Sequence, residues 1–144
     1  MTTARRPLGR PGLCLLLLAS LACSTLEAQP IPAEYRKPGL RYFVENPGND
    51  RRNLDRFIAL ALRRRGLDAQ PAPVRTRSDA FDVLVVYEDH WIPSMGYYLS
   101  SLRIDLRDSK TNALLATGSA SIKSSFARTE PKKVIDAIVS ELLR

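Results

Sequence analysis

Histidine is almost missing from this chain: His90 is the only one in 144 residues. Cysteine is nearly as scarce, with Cys14 and Cys23 alone. A zinc site needs several imidazole or thiolate ligands, so the composition excludes one. A hard-cation site would have to draw on Glu88, Asp89 and Asp105. Neighbouring strand residues point to opposite faces, so these carboxylates do not converge. The same divergence separates Asp89 from His90 as an acid–base pair. Ser100, Ser101, Ser119, Ser121, Ser124 and Ser125 lack a nucleophile elbow and a second histidine for a triad. The seven glycines form no phosphate-cradling loop. These absences imply no metal, no cofactor, no catalytic residue and therefore no enzyme.

Long hydrophobic runs are also absent but for one. Leu13 to Ala22 reads LCLLLLASLA, too short to span a bilayer as a mature helix. It follows a basic, acid-free start and ends in small residues, which is the pattern of a secretory signal peptide over 1–22. The run Ser20-Leu21-Ala22-Cys23 resembles the lipobox of bacterial lipoproteins, with Ser20 where that family usually has leucine. The resemblance implies acylation of Cys23 as the first mature residue and a membrane anchor through that lipid. Cys14 leaves with the signal, so lipidation also accounts for a lone thiol in an oxidising compartment. Ser24, where an aspartate would mark inner-membrane retention in such lipoproteins, implies the periplasmic side of the outer membrane. Ordinary cleavage after Ala22 or Ala28, releasing a soluble periplasmic protein, is the alternative.

The net charge is +7, with an isoelectric point near 9.8. Arg5, Arg6 and Arg10 belong to the signal, so the remaining excess is modest. It reads as a solvated surface, with polyanion binding as the alternative. Residues 23–39 are polar, with three prolines from Pro30 to Pro38 and no periodicity, and read as a disordered tether.

Residues 40–144 read as a single α+β domain. Leu40 to Glu45 is a first strand. Asn46-Pro47-Gly48-Asn49 is a turn, and Asn49 or Asp50 caps a helix. In that helix Leu54, Phe57, Ile58, Ala61 and Leu62 make one apolar stripe, stopped by Gly66. Arg63, Arg64 and Arg65 in its last turn oppose the helix dipole; export away from nucleic acid weighs against a nucleic-acid partner. Asp68 to Asp79 reads as a loop.

The organising stretch is Phe81 to Phe126, a meander of three antiparallel strands. Phe81, Val83, Val85 and Tyr87 share one face; Leu84 and Val86 share the other. Tyr98, Leu102, Ile104 and Leu106 alternate with Ser101, Arg103, Asp105 and Arg107. In the third strand Gly118 and Ala120 leave room for a helix to approach. Glu130 to Leu143 is the closing helix, with Thr129 as cap and Pro131 in the first turn. A right-handed crossover sets the first strand parallel to the second. The expectation is a two-layer sandwich: a four-stranded, mostly antiparallel sheet (β-α-β-β-β-α) with both helices on one face.

Two clusters are candidate partner- or ligand-binding sites. Tyr87, Trp91, Met95, Tyr97 and Tyr98 gather around the first meander turn, and such residues are enriched at interfaces. Capping of the sheet end is the structural reading of the same residues. Arg103 and Arg107 lie beside Leu84 and Val86 on the second sheet face. The run VVYEDHWIPSMGYYLSSLRIDLRDSKTNALLATGSA (Val85 to Ala120) resembles small bacterial envelope lipoproteins of unassigned function. The element order is similar to the β-α-β-β-β-α domains of envelope accessory lipoproteins. The resemblance implies a non-enzymatic domain that binds a protein partner in the cell envelope. The alternative is a soluble or anchored periplasmic binder of a small ligand or polymer.

Overall fold

The computed structural model describes residues 24–73, 78–93, 95–123 and 129–144. The signal segment 1–22, Cys23 and Phe126 lie outside the described residues. The elements are β1 (Ser24–Gln29), β2 (Arg41–Glu45), α1 (Leu54–Arg63), β3 (Asp68–Ala72), β4 (Val83–Pro93), β5 (Tyr97–Asp108), β6 (Leu114–Ile122) and α2 (Pro131–Leu142). Among the described residues the strands form one sheet of six in the order β1-β6-β5-β4-β2-β3. The four-stranded expectation is therefore wrong in number and in type. The sheet is mixed, with β2 parallel to both β3 and β4 and the other pairs antiparallel. What survives is an α+β fold with two helices.

The two extra strands lie at the two edges. β1 occupies Ser24–Gln29, inside the stretch read as a disordered tether, and pairs antiparallel with β6 from Ser24↔Ile122 to Gln29↔Thr117. A short 3-10 turn at Ala33–Arg36 and buried Ile31 continue the correction; the Ile31 N–H donates to the Leu142 carbonyl. β3 occupies part of the expected loop and carries Pro71. Proline lacks the N–H that a ladder needs, and an edge strand tolerates that loss.

The meander β4-β5-β6 forms with the predicted alternation from Val83 onward, but Phe81 precedes β4 and stacks on Phe43 of the other face. Val83, Val85, Leu102, Ile104, Leu106 and Ala116 turn to the helical side, and all are at most 1% exposed. Tyr98 departs from its expected face. Trp91 pairs with Leu99 while His90 pairs with Ser101, so β5 carries a bulge that shifts the parity beyond it. Leu99 is buried in consequence, and the Ser100 Oγ donates to the His90 carbonyl at 3.0 Å.

α2 packs on β6, β1 and β5, α1 packs on β2 and β3, and the two helices pack against each other. Gly118 explains how closely α2 can lie. A Cβ there would sit 2.7 Å from Ile138 Cγ2 and 3.2 Å from Leu142. α1 buries Leu54, Ile58, Ala61 and Leu62 as its stripe predicts, whereas Phe57 is only partly buried, under Lys132. The α1 start is capped by Asp50, whose carboxylate accepts from the N–H groups of Arg52 and Leu54, each at 2.6 Å. Among the described residues, the sheet and both helices share one continuous core.

Candidate functional site

The residues singled out in the sequence divide between two places. At the β4–β5 hairpin end, Tyr87 is buried, and its hydroxyl donates to Asp50 at 2.7 Å. Burial, then the neighbouring Asp50 carboxylate, pushes the Tyr87 phenol well above its usual range. Burial by itself would raise Asp50. The bonds from Tyr87 and from the backbone N–H groups of Arg52, Leu54 and Asp55 outweigh it and leave Asp50 below the usual carboxylate range. Tyr87 is thus a structural strut between β4 and α1.

Trp91 is half-buried and donates its indole N–H to Asp89. The Arg52 guanidinium stacks on Trp91 at 4.0 Å and stands 5.5 Å from the Tyr97 ring. Sequence reasoning missed Arg52, because it lies 39 positions before Trp91 and only the tertiary fold brings them together. Beyond this stack the tip is exposed: Met95 is 95% and Tyr97 68% accessible. Tyr98 pairs with Ile92 on the opposite face of the hairpin.

Arg103 and Arg107 lie on the other sheet face, which neither helix covers. Asp105 sits between them, accepting from Arg103 Nε at 2.9 Å, Thr117 Oγ1 at 2.6 Å and Arg107 at 3.5 Å. Burial would raise the Asp105 pKa. The bonds from Thr117 and Arg103 and both positive charges overcome it, so it falls below the usual range. Phe43, Leu84 and Val86 continue this face as a half-buried apolar strip, with Phe43 stacked on Phe81 at 5.0 Å.

At the other side of the face lies a groove of about 490 Å³. Thr25, Glu27, Glu88, His90, Ser101, Arg103, Ser119 and Ser121 supply its polar lining. β1 contributes Thr25 and Glu27, and the only sequence signal for it is a short alternation with Leu26 and Ala28. A second depression of about 560 Å³ lies at the α1 start beside Asn46, Asp55 and Pro71. There Asn46 donates to one Asp55 oxygen at 3.3 Å. Among the described residues no three His, Cys, Asp or Glu side chains are grouped to hold a metal ion.

Among solved structures, the chain matches the PelC dodecamer from Paraburkholderia phytofirmans with a TM-score of 0.62 and 17% identity. The fold is similar to that of PelC. The match covers 84% of this chain and 99% of the PelC chain. A methionine-substituted variant of PelC, also a dodecamer, matches with the same TM-score and identity over 83% of this chain. No protein-family model matches the chain. No curated protein matches it either.

Proposed function

We propose that this protein is a non-catalytic component of the bacterial cell envelope, anchored through an acylated Cys23, that works by binding a protein partner. The first partner to consider is a further copy of itself. The observation that supports this best is the uncovered sheet face. Phe43, Leu84 and Val86 form an apolar strip there, bordered by Arg103 and Arg107. An apolar centre with a charged rim is the usual anatomy of a protein interface. The PelC structures, whose fold this chain resembles, are dodecamers.

The carboxylates with displaced pKa values fit a binding module. Asp50 caps α1, Asp105 joins β5 to β6, and Asp108 accepts from Lys110 and Thr111 to close the β5–β6 turn. Each perturbation has a structural cause, in bonds that hold a helix start, a strand pair or a turn in place. Native mass spectrometry of the mature chain tests the proposal, with Val86→Glu beside it. An oligomer that Val86→Glu disperses is the expected outcome. A monomer at every concentration, with no cross-linked protein partner in the envelope, would overturn it. The mass of the mature N-terminus tests the acyl group on Cys23 separately.

A second reading, a binder of a small ligand or polymer, is favoured by the polar groove alone. It predicts ligand-induced amide shifts at Ser101, Arg103 and Ser119.

A further inference from the structure

Among the described residues three polar or charged side chains are buried: Asp55, Ser100 and Asp105. Two of them are accounted for. Ser100 donates to the His90 carbonyl, and Asp105 accepts from Arg103, Thr117 and Arg107. Asp55 is different. It is 6% exposed, and one oxygen accepts from Asn46 at 3.3 Å. The other, Oδ1, has no hydrogen-bond partner among the described residues. A buried acceptor without a donor costs free energy, and a carboxylate oxygen more than most. The α1 dipole favours an acid in the first turn, where Asp55 stands. It supplies no donor, because Asp50 already takes the N–H groups of Arg52, Leu54 and Asp55.

The same residue is one wall of the depression at the α1 start, about 560 Å³ in volume. Small-ligand sites commonly hold about 300–1,000 Å³. Three segments build the walls. Asn46 follows β2, and its N–H donates to the Ala72 carbonyl at 3.0 Å, which fixes the end of β3 beside it. Its side-chain oxygen accepts from the Gly48 N–H at 2.8 Å, so the amide turns its NH2 group toward Asp55. At 3.3 Å that bond to Asp55 is long, and a stronger donor can displace it. Arg56, the next residue of α1, brings an exposed guanidinium. Pro71, Ala72 and Pro73 bring apolar surface.

We propose that this depression binds the zwitterion of an α-amino acid with an apolar side chain. The ammonium group donates to both Asp55 oxygens, the carboxylate meets Arg56, and the side chain lies on Pro71 and Pro73. A simple anion would be set against the buried Asp55 carboxylate. A simple amine would pair with Asp55 and leave Arg56 without a counter-ion. A molecule that carries both charges on one carbon satisfies both. The site shares no residue with the groove on the open sheet face, and it depends on neither Cys23 nor the apolar strip.

L-leucine is the probe, titrated into the mature chain by calorimetry beside Asp55→Asn and Arg56→Gln. Asparagine keeps the shape of Asp55 and an acceptor for Asn46, and Arg56 is exposed, so neither change removes packing. The expected result is saturable binding that Asp55→Asn weakens about tenfold or more and Arg56→Gln about threefold or more. N-acetyl-leucine lacks the ammonium and isopentylamine lacks the carboxylate; each is expected to bind about tenfold more weakly than leucine, or worse. Leucine is also expected to raise the thermal midpoint of the wild type and not that of Asp55→Asn. Absent leucine binding, or binding unchanged by Asp55→Asn, overturns the proposal and leaves Oδ1 to solvent. Isopentylamine binding as tightly as leucine overturns it too, since Arg56 would then play no part. Any of these failures leaves the envelope partner and the acyl group on Cys23 standing, because their own tests use neither Asp55 nor Arg56.

Discussion

Within β5 alone, two surfaces are built on different physics. Leu102, Ile104 and Leu106 point to the helices and are at most 1% exposed. Their alternate neighbours Arg103, Asp105 and Arg107 point to the uncovered face and are held to one another by charge. The inner face depends on shape. Its contacts are dispersion and water exclusion, which vanish when an atom is removed or misplaced. The outer face depends on pairing, so it tolerates changes of volume but not the loss of a partner. The sharpest way to break this comparison is to remove bulk from the inner face. Ile138→Ala, at a fully buried position of α2 facing Gly118, is expected to cost about 3 kcal/mol. The midpoint of urea unfolding measures it.

Adding bulk to the same contact is the converse experiment. Gly118→Ala places a Cβ against Ile138, and the expected cost is about 1–3 kcal/mol. Combining it with Ile138→Val tests the cause. If overpacking is responsible, the double variant is less destabilised than the sum of the two single changes. Additive losses would mean that glycine serves a backbone need rather than a close approach.

Legibility in the sequence followed the strength of the alternation. β4 to β6 and α1 each bury a continuous apolar set, so their period was plain. Gly118 announced the helix above it because two small residues in a strand leave space that something must fill. β1 and β3 carry no such set. β1 offers only Leu26, which is 43% exposed, and Ala28; β3 offers Ala69 and Ala72 around a proline. Edge strands have a neighbour on one side only, so little apolar surface is needed to hold them. The site was legible in part for a related reason. The aromatics were visible as a cluster, but Ser100 inserts one residue into β5 and re-aims Tyr98 and Leu99. A bulge leaves almost no trace in composition. The stack of Arg52 on Trp91 joins distant segments, and no local spacing encodes it.

Asp105 gives a smaller effect with a distinctive pH dependence. Asp105→Asn leaves the bonds to Arg103 and Thr117 weakened, and the expected loss at neutral pH is about 1–2 kcal/mol. The folded carboxylate titrates below its unfolded value of about 3.9. Its contribution is therefore full above that value and lost as the pH falls through the folded pKa. Asp50 and Asp108 are displaced in the same direction, so the wild type loses stability in acid through all three. The difference between wild type and Asp105→Asn is expected to shrink from pH 7 toward pH 3. A difference constant over that range would assign the loss to packing.

The smallest expected effect sharpens the comparison best. Val86 is apolar like its inner neighbours Val85 and Tyr87, but it lies half-buried on the open face opposite Asp105. If that face depends on pairing rather than on shape, Val86→Thr should shift stability by no more than about 0.5 kcal/mol. The same substitution at Val85, fully buried in the core, puts a hydroxyl there and should cost about 1–3 kcal/mol. Equal losses at the two positions would mean that the outer face is itself a packed surface. In a chain that self-associates, a loss at Val86 that appears only at concentrations where the oligomer forms would identify the occupant of that face as another copy.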